Sequence, residues 1–267
     1  MPYTQLVEFL RSAKKILIFT GAGISTPSGI PDYRSNKGRW KERKPIEYHD
    51  FMTSEKARIE FWEMFASDWK EYHKAKPNSI HQAIVDLEAA QKLECVVTQN
   101  IDGLHLLAGT SPGKLIELHG TIRSVECQTC QEWSNPEPHI EYFMQNKTCP
   151  QCKCGGYLKH ATISFGQCLK EEDLFLAGQH SLSCDLVISM GSSLCVYPAQ
   201  SIPLLAAERG VPYIIINQGP TEHDHHSKLT LRIEGDALEI FPPAVQKSLE
   251  KLKNLGVSFR NSWEEDR

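Results

Sequence analysis

An α/β fold, with an open parallel sheet covered by helices on both faces and a smaller lobe beside it, is what this chain of 267 residues predicts. Three observations carry that expectation. Short apolar runs end abruptly in glycine or small polar residues, as buried parallel strands do. Segments with helical spacing of apolar residues lie between those runs. Two stretches, residues 36–77 and 120–160, break the alternation and read as a helical insertion and a zinc-binding module that together make the small lobe. Residues 1–35, 78–119 and 161–253 are left for the main lobe.

The first strand is Ile16-Leu17-Ile18-Phe19, emptying into Thr20-Gly21-Ala22-Gly23. Gly21 to Thr26 begins like a dinucleotide fingerprint but lacks its third glycine, and Pro27 and Pro31 limit any helix there to about one turn. An ordinary strand-end turn fits those residues equally well. The first insertion is rich in charge and aromatics, among them Trp40, Phe61, Trp62 and Trp69. After Pro77-Asn78-Ser79, the residues Ile80, Ile84 and Leu87 take helical spacing. Cys95-Val96-Val97-Thr98 then runs into Gln99-Asn100, and Leu115-Ile116-Glu117-Leu118 runs into His119 and a glycine. Beyond the second insertion, Leu186 to Met190 ends at Gly191, a helix over 203–209 ends at Gly210, and Tyr213 to Ile216 ends at Asn217. Open sheets of this kind bind ligands at the carboxyl ends of their strands, so the site is expected where these polar ends gather.

Composition narrows the function. A formal net charge of −4 provides no general positive field for phosphates, so direct nucleic-acid binding is not expected. No run of 18 apolar residues occurs, and Met1 to Lys15 has no signal-peptide pattern, so no membrane partner is expected and the predicted address is cytoplasmic, or nuclear in a eukaryote. Of the nine cysteines, Cys127 and Cys130 form one C-x-x-C pair and Cys149 and Cys152 a second, 18 residues on. That spacing matches one structural Zn2+ held by four thiolates, which leaves no coordination position for a catalytic water. Cys154 competes with Cys152 for the fourth place. Cys95, Cys168, Cys184 and Cys195 lie in or beside apolar segments and are expected to be small buried hydrophobes. His223, His225 and His226 cluster in a polar segment after Gly219-Pro220 and read as a solvated loop.

The segment GAGISTPSGIPDYRS at 21–35 resembles the sirtuins closely, together with TQNIDGLH at 98–105, LHG at 118–120, GSSLCVYPA at 191–199, INQGP at 216–220 and EGDA at 234–237. The blocks keep the family's order over nearly the whole chain. The resemblance implies a Rossmann-like main lobe holding NAD as a co-substrate, with an acyl-lysine protein or peptide lying between it and the small lobe. The implied activity is NAD-dependent protein lysine deacylation, in which the acyl oxygen attacks C1′ of the nicotinamide ribose and nicotinamide leaves. An O-alkylimidate is left, and deacylated lysine and O-acyl-ADP-ribose follow.

By the same resemblance His119 is the general base, acting on the ribose hydroxyls, and Asn100 positions water and ribose. A lone histidine after an apolar strand would otherwise read as structural. Asp102 with Ile101 would hold the nicotinamide carboxamide. Asp32 would lie on the nicotinamide ribose side and Arg34 beside the phosphates, although the two could also form a mere surface ion pair. Gly21, Ala22, Gly23, Ser25, Tyr33 and Gln99 complete that half. Gly191, Ser192 and Ser193 would face phosphate and ribose, with Asn217, Gln218 and Ala237 along the adenosine. Phe65, Phe165, Gly166 and Val196 would touch the acyl-lysine substrate.

The chain departs from the family pattern in several places. Within YLKHATISFGQCL at 157–169, His160 and Gln167 fill places usually held by a proline and an acid, and Tyr33 replaces a phenylalanine. Peptide preference is what these changes bear on. Sirtuins that prefer succinyl or malonyl groups carry a Tyr and an Arg where this chain has Phe65 and Asp68. A free carboxylate there would repel an acidic acyl chain by about 4 kcal/mol at ~4 Å, which predicts a neutral acyl preference, acetyl first. An ADP-ribosyltransferase or NAD glycohydrolase is the alternative on this fold, and His119 favours deacylation over it. A non-catalytic binding module is opposed by intact Asn100, Asp102 and His119, and a dehydrogenase by the incomplete glycine fingerprint.

Overall fold

The computed structural model describes residues 2–35 and 38–253. In chain order these form α1 (Pro2–Ser12), β1 (Ile16–Thr20), α2 (Arg39–Glu42), α3 (Tyr48–Thr53), α4 (Glu55–Lys74), α5 (Ser79–Ala89), β2 (Leu93–Thr98), α6 (Leu104–Ala108), β3 (Leu115–Glu117) and β4 (Gly120–Cys127). There follow β5 (Trp133–Ser134), α7 (Pro136–Asn146), β6 (Leu158–Thr162), α8 (Glu171–Ser183), β7 (Leu186–Met190), α9 (Ser201–Glu208), β8 (Tyr213–Asn217), β9 (Leu231–Glu234) and α10 (Ala237–Lys253). Among the described residues no helix is long and apolar enough to cross a membrane.

Six strands form a parallel sheet in the order β3-β2-β1-β7-β8-β9. Every residue of β1, β7 and β8 is buried, which explains their continuous apolar runs: helices cover both faces, so neither set of alternating side chains meets water. Ile16 and Ile18 of β1 pack with α1, α5 and α10, whereas Leu17 and Phe19 pack with α8 and α9. Strand order runs outward in opposite directions from β1 and β7, so the crevice expected of a doubly wound sheet opens between their carboxyl ends. At that point the chain supplies Gly21 and Gly191.

The second sheet, β5-β4-β6, is antiparallel and packs with α4 and α7 around Trp62, Phe65, Phe143 and Leu158. Ser54 caps α4 by accepting from the Ala57 amide, and the Trp62 indole donates to the Leu158 carbonyl at 3.1 Å, fixing the helix on β6. Apolar burial and this bond set one wall of the cleft. The opposite wall is steadied from α5, whose cap Asn78 donates to Ile24 O and Ser28 Oγ at 2.8 and 2.9 Å, holding the loop after β1.

Candidate functional site

A cleft of about 1520 Å³ opens at the carboxyl ends of β1, β2, β7 and β8. It gathers His119, Asn100, Gly21, Ala22, Gly23, Asp32, Tyr33, Arg34, Gln99 and Ile101 from the sequence-predicted set. Gly191, Ser192, Ser193, Asn217, Gln218 and Ala237 line it as well, as do Phe65, Phe165, Gly166 and Val196. Ser25 and Asp102 do not. Both are buried behind the wall, bonded to each other.

The loop after β1 makes two short 3-10 turns, Ala22–Ile24 and Thr26–Ser28, in keeping with its prolines. Gly23 N donates to Gly191 O at 2.8 Å. A Cβ on Gly21 would lie 2.7 Å from that oxygen, and one on Gly23 2.8 Å from Gly191 Cα. The glycines are therefore required by contact between two strand ends, which leaves backbone as the cleft surface.

After β2, Gln99 Nε2 donates to Ser192 Oγ at 2.8 Å, tying two halves of the sheet together. Asn100 Nδ2 donates to Ser25 Oγ at 3.2 Å, and Ser25 Oγ donates to Asp102 Oδ2 at 2.7 Å. Asp102 also accepts from the Leu104 amide. Burial raises the Asp102 pKa, and these hydrogen bonds and Arg123 work against that rise. Arg123 was missed by sequence reading: its guanidinium donates to the carbonyls of Asp102 and Tyr72, and so joins the Asn100 loop to the end of α4. Nothing in its spacing foretold that.

His119 Nδ1 lies 3.0 Å from the Gln99 carbonyl. A carbonyl only accepts, so the neutral ring carries its proton on Nδ1 and keeps a free lone pair on Nε2. Burial lowers the His119 pKa, the Gln99 carbonyl opposes the shift, and the positive Arg34 adds to it. The ring is a neutral base at pH 7.

Asp32 accepts from the amides of Arg34 and Ser35, shaping the loop, and no ion pair joins it to Arg34 among the described residues. The surface-pair reading is thus replaced: the Arg34 guanidinium stacks over Trp40 at 4.2 Å. The Tyr33 hydroxyl is 3.3 Å from that of Tyr72. On the far side, Arg232 donates to the carbonyls of Asn217 and Gly219 and holds the bend beneath Gln218.

The substrate side differs from expectation at Asp68. Arg39 pairs with it at 2.8 Å, Arg43 pairs with it too, and Arg39 also bonds Glu71. α2 and its C-cap residue Arg43, which sequence reading did not resolve, deliver both guanidiniums. The Asp68 charge is neutralised, so repulsion from it does not govern acyl choice.

The zinc set is corrected at one cysteine. Sulfurs of Cys127, Cys130, Cys152 and Cys154 all lie within 4.8 Å of one another, whereas Cys149, the expected third ligand, stands outside and packs against the small-lobe core near Arg58 and Glu55. The reason is the turn after Cys152: Gly155 takes φ +83, and Gly156 passes so close to Cys127 that a Cβ would lie 2.6 Å from its sulfur. The pair of glycines was the available signal. Sulfur separations of 3.5 Å for Cys127–Cys154 and 3.6 Å for Cys130–Cys152 suit a tetrahedron with Zn–S bonds of about 2.3 Å, whose edges are about 3.8 Å.

Two further expectations change. Cys95 and Cys184 are buried, but Cys168 and Cys195 are exposed, because they sit in loops after β6 and β7 rather than in the strands. His223 is 4% exposed, its Nδ1 2.9 Å from the Tyr213 hydroxyl, so the polar loop folds one of its histidines inward.

A model of the Sir2 family matches residues 21–198. The chain is 38% identical over 229 residues to the NAD-dependent protein deacetylase of Rhodopseudomonas palustris, covering 85% of this chain and 90% of that protein. It is 40% identical over 218 residues to the NAD-dependent protein deacetylase of Thermodesulfovibrio yellowstonii, covering 81% and 84%. A solved Sir2 histidine variant, in complex with a deacetylated p53 peptide and 3′-O-acetyl ADP ribose, matches with TM-score 0.80 and 31% identity over 94% of this chain and 98% of that one.

Proposed function

The chain belongs to the Sir2 family, and from that premise we infer that it is an NAD-dependent protein lysine deacylase yielding nicotinamide, deacylated lysine and O-acyl-ADP-ribose. The observation that carries this reading to the present residues is the bond from His119 Nδ1 to the Gln99 carbonyl, because it leaves Nε2 as a lone-pair base beside the cleft.

His119 takes a proton from a hydroxyl of the nicotinamide ribose. Asn100 orients water and ribose, and Ile101 bears on the carboxamide. Ser25 and Asp102 serve from behind the wall, holding the Asn100 amide in place. Gly21, Ala22, Gly23, Gly191, Ser192 and Ser193 let phosphate and ribose approach the backbone, and Gln99 braces that surface. Asp32, Tyr33 and Arg34 border the nicotinamide and phosphate region, with Asn217, Gln218 and Ala237 along the adenosine. Phe65, Phe165, Gly166 and Val196 receive the acyl-lysine and its peptide. NAD supplies a cleavable bond at C1′ and is consumed.

Cys127, Cys130, Cys152 and Cys154 would hold one structural Zn2+. Four thiolates would leave the ion no open position for water, so its contribution would be to the folding of the small lobe. Thiolates in that state suit a reducing, cytoplasmic address. Residues 1–35, 78–119 and 161–253 form the NAD lobe in this reading, with 36–77 and 120–160 as the small lobe.

The test is incubation of the purified chain with NAD and an acetyl-lysine peptide, with products identified by mass. O-acetyl-ADP-ribose together with deacetylated peptide is the expected outcome. Free ADP-ribose with intact peptide would instead support the glycohydrolase.

A further inference from the structure

One side chain on the substrate wall takes no part in the chemistry above. His160 lies in β6, two residues before Thr162, whose Cα is paired with that of Gly120, the neighbour of His119. Ile163 donates to the His119 carbonyl at 2.8 Å, so β6 leads from the base along the same wall. The His160 ring packs on Phe61 with centroids 4.3 Å apart and meets Phe65 edge-on at 4.9 Å, and all three line the cleft.

Polarity distinguishes this ring from its neighbours. Nδ1 is 2.7 Å from Thr162 Oγ1, and no described residue partners Nε2. Burial holds the His160 pKa well below the usual histidine range, with the nearby Lys159 charge adding to the effect. The Thr162 hydroxyl can donate to Nδ1 or accept from it, so Nε2 is an N–H donor in one neutral tautomer and a lone-pair acceptor in the other, and in both it is the polar ring atom between two apolar rings. Lys159 does not compete for the same ligand, because its ammonium is committed to the carbonyls of His160 and Thr162. A plain hydrocarbon packed over Nε2 leaves it unsatisfied, whereas a hydroxyl at the same depth, which both donates and accepts, satisfies it in either tautomer. A carboxylate would want a free cation, and Arg39 and Arg43 are occupied by Asp68 and Glu71.

We propose that His160 is a specificity determinant of the acyl pocket, and that the site favours acyl-lysines whose chain carries a hydroxyl over the hydrocarbon chain of equal length. This rests on the deacylase reading of the cleft. The experiment measures kcat/KM for two peptides that differ only in carrying butyryl-lysine or 3-hydroxybutyryl-lysine. One added hydrogen bond predicts that the wild-type chain prefers the hydroxylated acyl group by about threefold to tenfold, mostly through KM. His160→Phe should bring the ratio to about one, and His160→Gln, which keeps a hydrogen-bonding donor and acceptor, should hold it above one. A wild-type ratio at or below one overturns the inference without any variant, as does a folded His160→Phe chain with the wild-type ratio. Turnover of NAD with no deacylation of either peptide, nor of the acetyl peptide, overturns the deacylase reading and this inference with it.

Discussion

On the sheet side of the cleft the chain presents backbone at the ends of strands buried on both faces, and on the small-lobe side it presents side chains from insertions. The first wall is fixed by glycines that touch: Gly21 and Gly23 lie against Gly191 with no room for a Cβ. The second is fixed by aromatic packing on α4 and by a sulfur cluster, with Phe61, Phe65 and His160 projecting from it. A wall of backbone accepts few substitutions, because each added atom displaces a strand. A wall of side chains can change its chemistry one residue at a time.

The largest break in that comparison should come from the sulfur cluster. Cys154→Ser is expected to release zinc and unfold the small lobe, given apparent zinc-binding free energies of about 10 kcal/mol or more in small zinc modules. Zinc content by elemental analysis checks it, with Cys149→Ser as the contrast that should keep its metal. Retention of zinc by the Cys154 variant and loss from the Cys149 variant would reverse the assignment.

His119→Ala should leave both walls standing and lower deacylation by roughly 10²–10⁴-fold, the usual contribution of a general base. Circular dichroism and NAD titration should remain near wild type, and near-normal turnover would remove His119 from its role. Gly23→Ala tests the contact of strand ends, and overpacking there should cost about 1–3 kcal/mol in urea denaturation. An unchanged midpoint would mean that the glycine loop yields more readily than the geometry implies.

Asp68→Asn should be milder, because the amide oxygen can still accept from Arg39 and Arg39 keeps Glu71; a loss of about 1–2 kcal/mol is expected for this largely buried pair. The smallest effect concerns acid. Burial lowers the His223 pKa to about 4, and the His226 charge adds to the shift. Protonation is therefore disfavoured in the folded chain. Stability from this residue is complete above about pH 6.5 and declines as pH falls through that value towards 4. Tm measured at pH 7.5 and 5.5 should fall less for His223→Gln than for wild type; an equal fall would place the acid sensitivity elsewhere.

Much of the fold was legible because burial on both faces writes itself as uninterrupted apolar runs. Ile16 to Phe19, Cys95 to Thr98, Leu186 to Met190 and Tyr213 to Ile216 all became central strands. The cleft-lining residues at their ends were legible for the same reason: a strand that stops at a glycine or an amide marks the crevice. Less was legible in the insertions. Their local patterns say helix or turn, but not which charge meets which.

Sequence alone determined the parallel sheet, the family and the position of His119, since each is carried by residues adjacent in the chain. The tertiary structure decided what depends on contact across it. Cys154 joins the cluster in place of Cys149 because Gly155 and Gly156 turn the chain back over Cys127. Asp68 loses its free charge because α2 and the residue that caps it bring Arg39 and Arg43 from 29 and 25 positions away along the chain. Ser25 and Asp102 move behind the wall because their mutual hydrogen bond closes a gap of 77 residues. Spacing records neighbours a few residues apart, and these partners meet only when hydrophobic burial has brought the lobes and strand ends together.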